Sequence, residues 1–163
     1  MYIRKIKIAN YRNFNDFTMK FRKGLNVIIG SNNSGKTGLL YAIRLLSDPS
    51  QISVHDFNKN NLSEYALKYT DKPPEIEIEY EIQHEISEDD TEDESIIKLV
   101  PFLGMNEFED GRKESGGCAS YTLVANVKMT FALESKAISD YKAAVQGVTS
   151  FDGFVSVLET FLD

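Results

Sequence analysis

Gly30-Ser31-Asn32-Asn33-Ser34-Gly35-Lys36-Thr37 fits G-x-x-x-x-G-K-[ST], the pattern of the phosphate-binding P-loop. Upstream, Leu25-Asn26-Val27-Ile28-Ile29 is apolar and β-branched and reads as a buried strand. Downstream, Thr37 to Leu46 reads as a helix. In such a loop, Gly30 takes the chain out of the strand and Gly35 brings the backbone close to phosphate oxygens. The backbone N–H groups of Asn33 to Thr37 then converge at the positive end of the helix dipole. Lys36 adds a full positive charge for the β- and γ-phosphates, and the Thr37 hydroxyl is placed to ligate Mg²⁺, which prefers oxygen. The bland alternative is a glycine-rich turn before a helix, and the flanking strand and helix argue against it.

Outward from the loop, 163 residues suffice for one domain with a core. No apolar run approaches the roughly 20 residues that span a bilayer. The start, Met1 to Ile8, mixes charge with apolar residues and has no signal-peptide core. One cysteine, Cys118, permits no internal disulfide, and His55 and His84 show no metal-site spacing. These features read as cytoplasmic, with no membrane partner. The net charge of −7 is uneven: residues 1–44 hold nine Lys or Arg and one acid, whereas 45–163 hold nine and 24. The basic part surrounds the P-loop, as a polyphosphate site requires. The same segment could also face nucleic acid, and a solvated basic face is the simpler reading against that contact.

Residues 2–9 and 16–21 read as strands before the P-loop strand, joined by an Asn10-Tyr11-Arg12-Asn13 turn. A helix is expected over Asn61 to Tyr69, stopped by Pro73-Pro74. Glu75 to Ile82 alternates strictly, which predicts a strand with one apolar face and one solvated row of glutamates. Residues 85–95 carry seven acids and read as an exposed loop; 93–102 suits a short helix and 106–117 a second exposed loop. Tyr121 to Leu133 reads as a long strand. Helices are expected over Ser135 to Gln146 and Ser150 to Leu162, the last running to the chain's end without a tail, as a cut inside a larger protein would leave it.

A complete P-loop ATPase also needs an apolar strand ending in an acid, which orders Mg²⁺ and water. Met129 to Glu134 comes nearest but is interrupted by Thr130, and Val155 to Glu159 has helical phase. No stretch resembles the LSGGQ signature. No D-x-x-G follows the loop, and Asn58-Lys59-Asn60-Asn61 lacks the aspartate of N-K-x-D. No catalytic residue is assigned within these 163 residues.

Ile6 to Phe14, with Asn10-Tyr11-Arg12-Asn13-Phe14 at its centre, followed by Gly24 to Thr37, resembles the N-terminus of ABC-type ATPases of the SMC and RecF group. Within that group the turn, the helix Leu39 to Leu46 and the strand Ile76 to Tyr80 resemble the OLD (overcoming lysogenisation defect) nucleases, including antiphage proteins. The resemblance implies that Arg12 lies near the nucleotide phosphates and that Asn32 takes the P-loop asparagine position. Asn33 stands where many relatives have glycine, and asparagine tolerates left-handed backbone. The resulting nucleotide set is Arg12, Asn13, Gly30, Asn32, Asn33, Ser34, Gly35, Lys36, Thr37 and Gly38, with Thr37 on the metal.

The expected fold is α/β: the N-terminal lobe of a P-loop ABC-type ATPase over residues 1–163, with a mixed, largely antiparallel sheet around the P-loop helix. The expected function is binding of ATP and Mg²⁺ within an ATPase that regulates a DNA-processing nuclease, with these residues alone inactive. A homo-oligomer and DNA contacts through further regions are what the resemblance implies. Two rivals stand: a small P-loop kinase, which usually starts at the P-loop strand, and a degenerate ATPase fold serving as an interaction or dimerisation module.

Overall fold

The structure is a computed structural model that describes residues 1–67, 73–87 and 120–162. Alternation beginning at Tyr2 forms strand β1, Tyr2–Tyr11, which buries Ile6 and Ile8. The two residues Arg12 and Asn13 turn the chain into β2, Phe14–Lys20. β3, Ile76–Ser87, and β4, Ser120–Phe131, complete an antiparallel sheet in the order β2-β1-β3-β4. Its register is visible in side-chain partners: Tyr2 meets Gln83, Lys5 meets Glu81, and Asn10 reaches the Glu75 carbonyl. As β1 ascends, its partners on β3 descend.

Among the described residues the helices are α1, Lys36–Leu45; α2, Lys59–Leu67; α3, Ile138–Val145; and α4, Phe151–Leu162. Short 3-10 turns cover Pro49–Gln51, Val54–Asp56 and Ser135–Ala137. Among the described residues no helix is long and apolar enough to cross a membrane.

The chain divides into two compact units. One holds Met1–Lys7, Thr18–Val27 and Glu79–Lys128. Its described core contains Ile6, Tyr80, Ile82, Leu123, Val124 and Ala125. The second holds Ile8–Phe17, Ile28–Ile78 and Met129–Asp163. There α1 buries Leu39, Ala42 and Leu45, one stripe at helical spacing. α4 buries Phe154 and Leu158 and packs on the Val54–Asp56 turn, on α2 and on α3, where Tyr141 and Phe161 meet edge to face at 5.9 Å. Burying such apolar surface is the main favourable term in holding the helices in place.

Three expectations are corrected. First, Leu25–Ile29 is not a strand. Leu25 and Ile29 are 90% exposed and Val27 is 69% exposed. A strand needs a neighbour to satisfy its backbone N–H and C=O groups, and among the described residues 25–29 joins no sheet. The sheet is therefore antiparallel rather than mixed. Second, the glutamate row on β3 is only half exposed. The Glu81 side chain is 19% exposed and pairs with Arg4 at 3.3 Å and Lys5 at 3.2 Å. The neighbouring strand's cations, which no single-strand periodicity reveals, cover it. Third, residues 85–87 continue β3 rather than opening a loop, and Glu85 pairs with Lys23 at 2.6 Å. The helix expected from Ser135 begins as a 3-10 turn. The rest of the 85–95 loop, the helix at 93–102, the loop at 106–117 and the end of the helix expected to reach Tyr69 lie outside the described residues.

Candidate nucleotide-binding site

The P-loop closes on its own lysine. The Lys36 ammonium donates to the carbonyls of Gly30 at 2.7 Å and Ser31 at 2.6 Å, with the Ser34 hydroxyl at 3.4 Å. Asn33 sits at φ 63° and Gly35 at φ 90°, both left-handed. Asparagine and glycine are the residues that adopt this backbone at least cost. Gly35 is required twice over, because a Cβ there would lie 2.9 Å from Cζ of Phe14. The Phe14 ring, in tilted contact with Phe17 at 4.6 Å, is thus the floor against which the loop turns into α1. No side chain caps α1 and its first turn holds no acid, so no protein carboxylate competes for the N–H groups there.

The β1–β2 turn reaches the same place. Asn13 Nδ2 donates to the Asn33 carbonyl at 3.1 Å. Arg12 packs beside Gly38, where a Cβ would lie 3.7 Å from its Cδ. Arg12, Asn13 and Asn32 to Gly38 together line a cavity of about 550 Å³. Nine of the ten residues expected to bind nucleotide are therefore gathered around one space; the tenth, Gly30, contributes its carbonyl to Lys36. Among the described residues the lining of this cavity contains no Asp or Glu to assist Thr37 at the expected metal site. Among the described residues no cluster of three His, Cys, Asp or Glu could hold a metal ion.

Arg12 is held from several directions. Its Nε donates to Asp56 Oδ1 at 2.7 Å, and its guanidinium lies over the Tyr41 ring at 4.4 Å and the Tyr11 ring at 5.4 Å. Its backbone, at φ 47°, donates N–H to the Asp56 carbonyl at 2.6 Å and accepts from Asn58 Nδ2 at 2.9 Å. Left-handed backbone costs a non-glycine residue about 1 kcal/mol, and hydrogen bonds at both ends offset it. Burial works against the Arg12 charge, but the Asp56 hydrogen bond, with the Tyr11, Asp56 and Tyr41 charges, raises its pKa above the ordinary value. Burial, then the Asp56 charge, push the Tyr11 hydroxyl up to about 12, with Arg12 pulling the other way.

Sequence reading missed Asp56, Asn58, Tyr41 and the role of Phe14. Two local signals existed. Ser53-x-x-Asp56 fits a capping box, and the box forms: Asp56 Oδ2 accepts from the Ser53 N–H at 3.0 Å. Asn58 precedes α2 and caps it, accepting from the N–H groups of Asn60 at 3.1 Å and Asn61 at 3.2 Å. A second cavity of about 630 Å³ shares Arg12 and Asn13 with residues 55–60.

A family model described as AAA ATPase domain matches residues 1–146. The DNA replication and repair protein RecF of Acetivibrio thermocellus is 49% identical over 45 residues, 28% of this chain and 12% of that protein. RecF of Oenococcus oeni is 32% identical over 77 residues, 47% of this chain and 20% of that protein. The DNA double-strand break repair Rad50 ATPase of Pyrococcus abyssi is 49% identical over 43 residues, 26% of this chain and 5% of that protein. The chain thus spans a small part of the length of the curated relatives it matches. The family match, by contrast, runs through most of the chain, which belongs to the AAA ATPase domain family.

Proposed function

We propose that the chain binds Mg-ATP through Arg12, Asn13, Gly30, Asn32 to Gly38, and is the P-loop part of an ATPase that works on DNA. One observation carries the reading: a P-loop lysine wrapped by the Gly30 and Ser31 carbonyls faces a cavity that Arg12 also lines, at a helix start no side chain caps. The residues fit the ligand. Lys36 and Arg12 bring positive charge to phosphate oxygens, the Asn33 to Thr37 N–H groups supply fixed donors, and the Thr37 hydroxyl offers an oxygen for Mg²⁺. Mg-ATP supplies the phosphoanhydride bond whose cleavage such ATPases couple to work. The lack of Asp and Glu among the described lining residues, with no Walker B strand or signature motif legible in the sequence, favours binding without turnover by residues 1–163 alone.

The names of the RecF and Rad50 relatives support a role on DNA, and we read the protein as a cytoplasmic homo-oligomer with DNA contacts outside residues 1–163. Within that class we read the chain as OLD type, part of an ATPase that controls a nuclease and serves antiphage defence. The support is Asn10 to Phe14, Leu39 to Leu46 and Ile76 to Tyr80.

Calorimetric titration with Mg-ATP tests the reading. Lys36→Ala is expected to weaken binding about a hundredfold, the scale of a charge-assisted contact to phosphate. Its melting temperature should stay near that of the unsubstituted chain, because the ammonium bonds only loop carbonyls and a hydroxyl. Equal affinity in a folded Lys36→Ala chain overturns it.

A further inference from the structure

We propose that Asp56 is a positioning residue for the nucleotide site: it grips Arg12 through Nε and so presents the terminal guanidinium nitrogens to the phosphate cavity. The inference rests on the ATP-binding reading and deepens it. Asp56 is 44 residues from Arg12 in sequence and belongs to a turn with no P-loop character.

The geometry carries the assignment. Arginine has five N–H donors in a rigid fork. Among the described residues, the Arg12 side chain donates only its Nε–H, to Asp56 at 2.7 Å. Four N–H groups on the terminal nitrogens remain, on a residue that lines the P-loop cavity. The Tyr41 ring, 4.4 Å from the guanidinium carbon, restricts the plane of the fork from α1. Asp56 itself cannot drift. Its side chain is 9% exposed, its second oxygen is held by the Ser53 N–H, and its carbonyl holds the Arg12 backbone at 2.6 Å. A long, rotamer-rich side chain is thereby fixed before any ligand arrives, which lowers the ordering cost of binding.

Two effects of Asp56 oppose each other, and this makes the assignment testable by sign. A carboxylate near a polyanion repels it, so Coulomb repulsion alone makes Asp56→Asn bind ATP more tightly. Positioning makes the same variant bind more weakly, because a neutral acceptor holds Arg12 less firmly. The pair is close and mostly buried, so the Asp56 charge is largely spent on Arg12 and positioning wins.

The experiment is a double-mutant cycle on the 163-residue chain, read by calorimetric titration with Mg-ATP, using Arg12→Ala, Asp56→Asn and both together. Arg12→Ala is expected to weaken binding about twentyfold and Asp56→Asn about fivefold, the scale of one charge-assisted hydrogen bond lost and one weakened. In the Arg12→Ala background, Asp56→Asn should change affinity less than about twofold, since its route to the ligand is gone. A merely structural Asp56 would weaken binding equally in both backgrounds, and that result, unchanged affinity or tighter binding overturns the proposal. Should Asp56→Asn fail to fold, Tyr41→Leu replaces it in the same cycle, with about a threefold loss expected only when Arg12 is present. Additive losses there overturn the proposal too. If the unsubstituted chain and Lys36→Ala both fail to bind Mg-ATP, the ATP reading itself falls and this inference with it. If Lys36→Ala loses binding while the cycle shows no coupling, only the role of Asp56 falls.

Discussion

Residues 53–61 and residues 25–29 satisfy their backbones in opposite ways. The first segment has little regular structure before α2, yet several of its polar groups are used. Ser53 and Asp56 close a capping box, and Asp56 and Asn58 both bond the Arg12 backbone. The N–H of Asn58 donates to the Asn10 carbonyl at 3.1 Å, and Asn61 reaches Asn10 at 3.1 Å and Asn15 at 2.6 Å. The second segment is mostly apolar and β-branched, yet it joins no strand among the described residues and turns Leu25, Val27 and Ile29 outward. The difference lies in where partners come from. Turns and caps carry their own acceptors in Asp, Asn and Ser side chains. In 25–29 only Asn26 does so, bonding Arg22 and Gly24 through its side chain, and the order of the apolar remainder depends on another strand.

Breaking the first region should cost most. Asn58 is 5% exposed, caps α2 and donates to the Arg12 carbonyl. Asn58→Ala removes the cap and leaves a buried carbonyl unpaired, an expected loss of about 3 kcal/mol in denaturant unfolding. Asn58→Asp keeps the cap but loses the donor and should fall between the two.

A smaller effect of the same region is pH-dependent. Tyr11 ends β1, bridges to Phe57 and is 1% exposed. Its hydroxyl is raised to about 12 in the folded chain, above the 10.0 of a free tyrosine. The unfolded chain therefore releases this proton first as pH rises. Stability from Tyr11 is complete below pH 10 and is lost toward pH 12, by about 2 kcal/mol at that limit. Comparing unfolding of the unsubstituted chain and Tyr11→Phe at pH 9 and pH 12 isolates it, because the phenylalanine variant lacks this part of the decline.

The smallest effect on stability belongs to the second region. Leu25→Thr, Val27→Thr and Ile29→Thr together should shift the unfolding free energy by less than about 0.5 kcal/mol, as surface substitutions do. Sedimentation should show less self-association of the triple variant, because an exposed apolar edge pairs with other chains. A loss of several kcal/mol would mean that these side chains are covered in solution.

The legible part of the site was local. The P-loop pattern specifies its own turn through Gly35 and Asn33 and its own charge through Lys36. The Arg12 position followed from the short turn between two alternating strands and from family resemblance. Asp56, Asn58 and Tyr41 were not legible as site residues, because they act across 29 to 46 residues and leave only cap signatures in the local pattern. Most strands and helices were legible from periodicity, which reports a side chain's demand for burial. Periodicity does not report whether a neighbouring strand meets that demand, which is why Leu25–Ile29 misled.

By itself, then, the amino-acid sequence determined the P-loop, the helix that follows it and the alternating faces of β1 and β3. Each depends on contacts within a few residues or on a period of two or 3.6. Only the tertiary structure decided that Glu81 is screened by Arg4 and Lys5, that Phe14 forms the floor beneath Gly35, and that Asp56 holds Arg12 beside the P-loop cavity. Those three depend on hydrogen bonds, charges and van der Waals contacts between segments that chain order keeps far apart. Such contacts exist only once the strands are paired and the helices are packed.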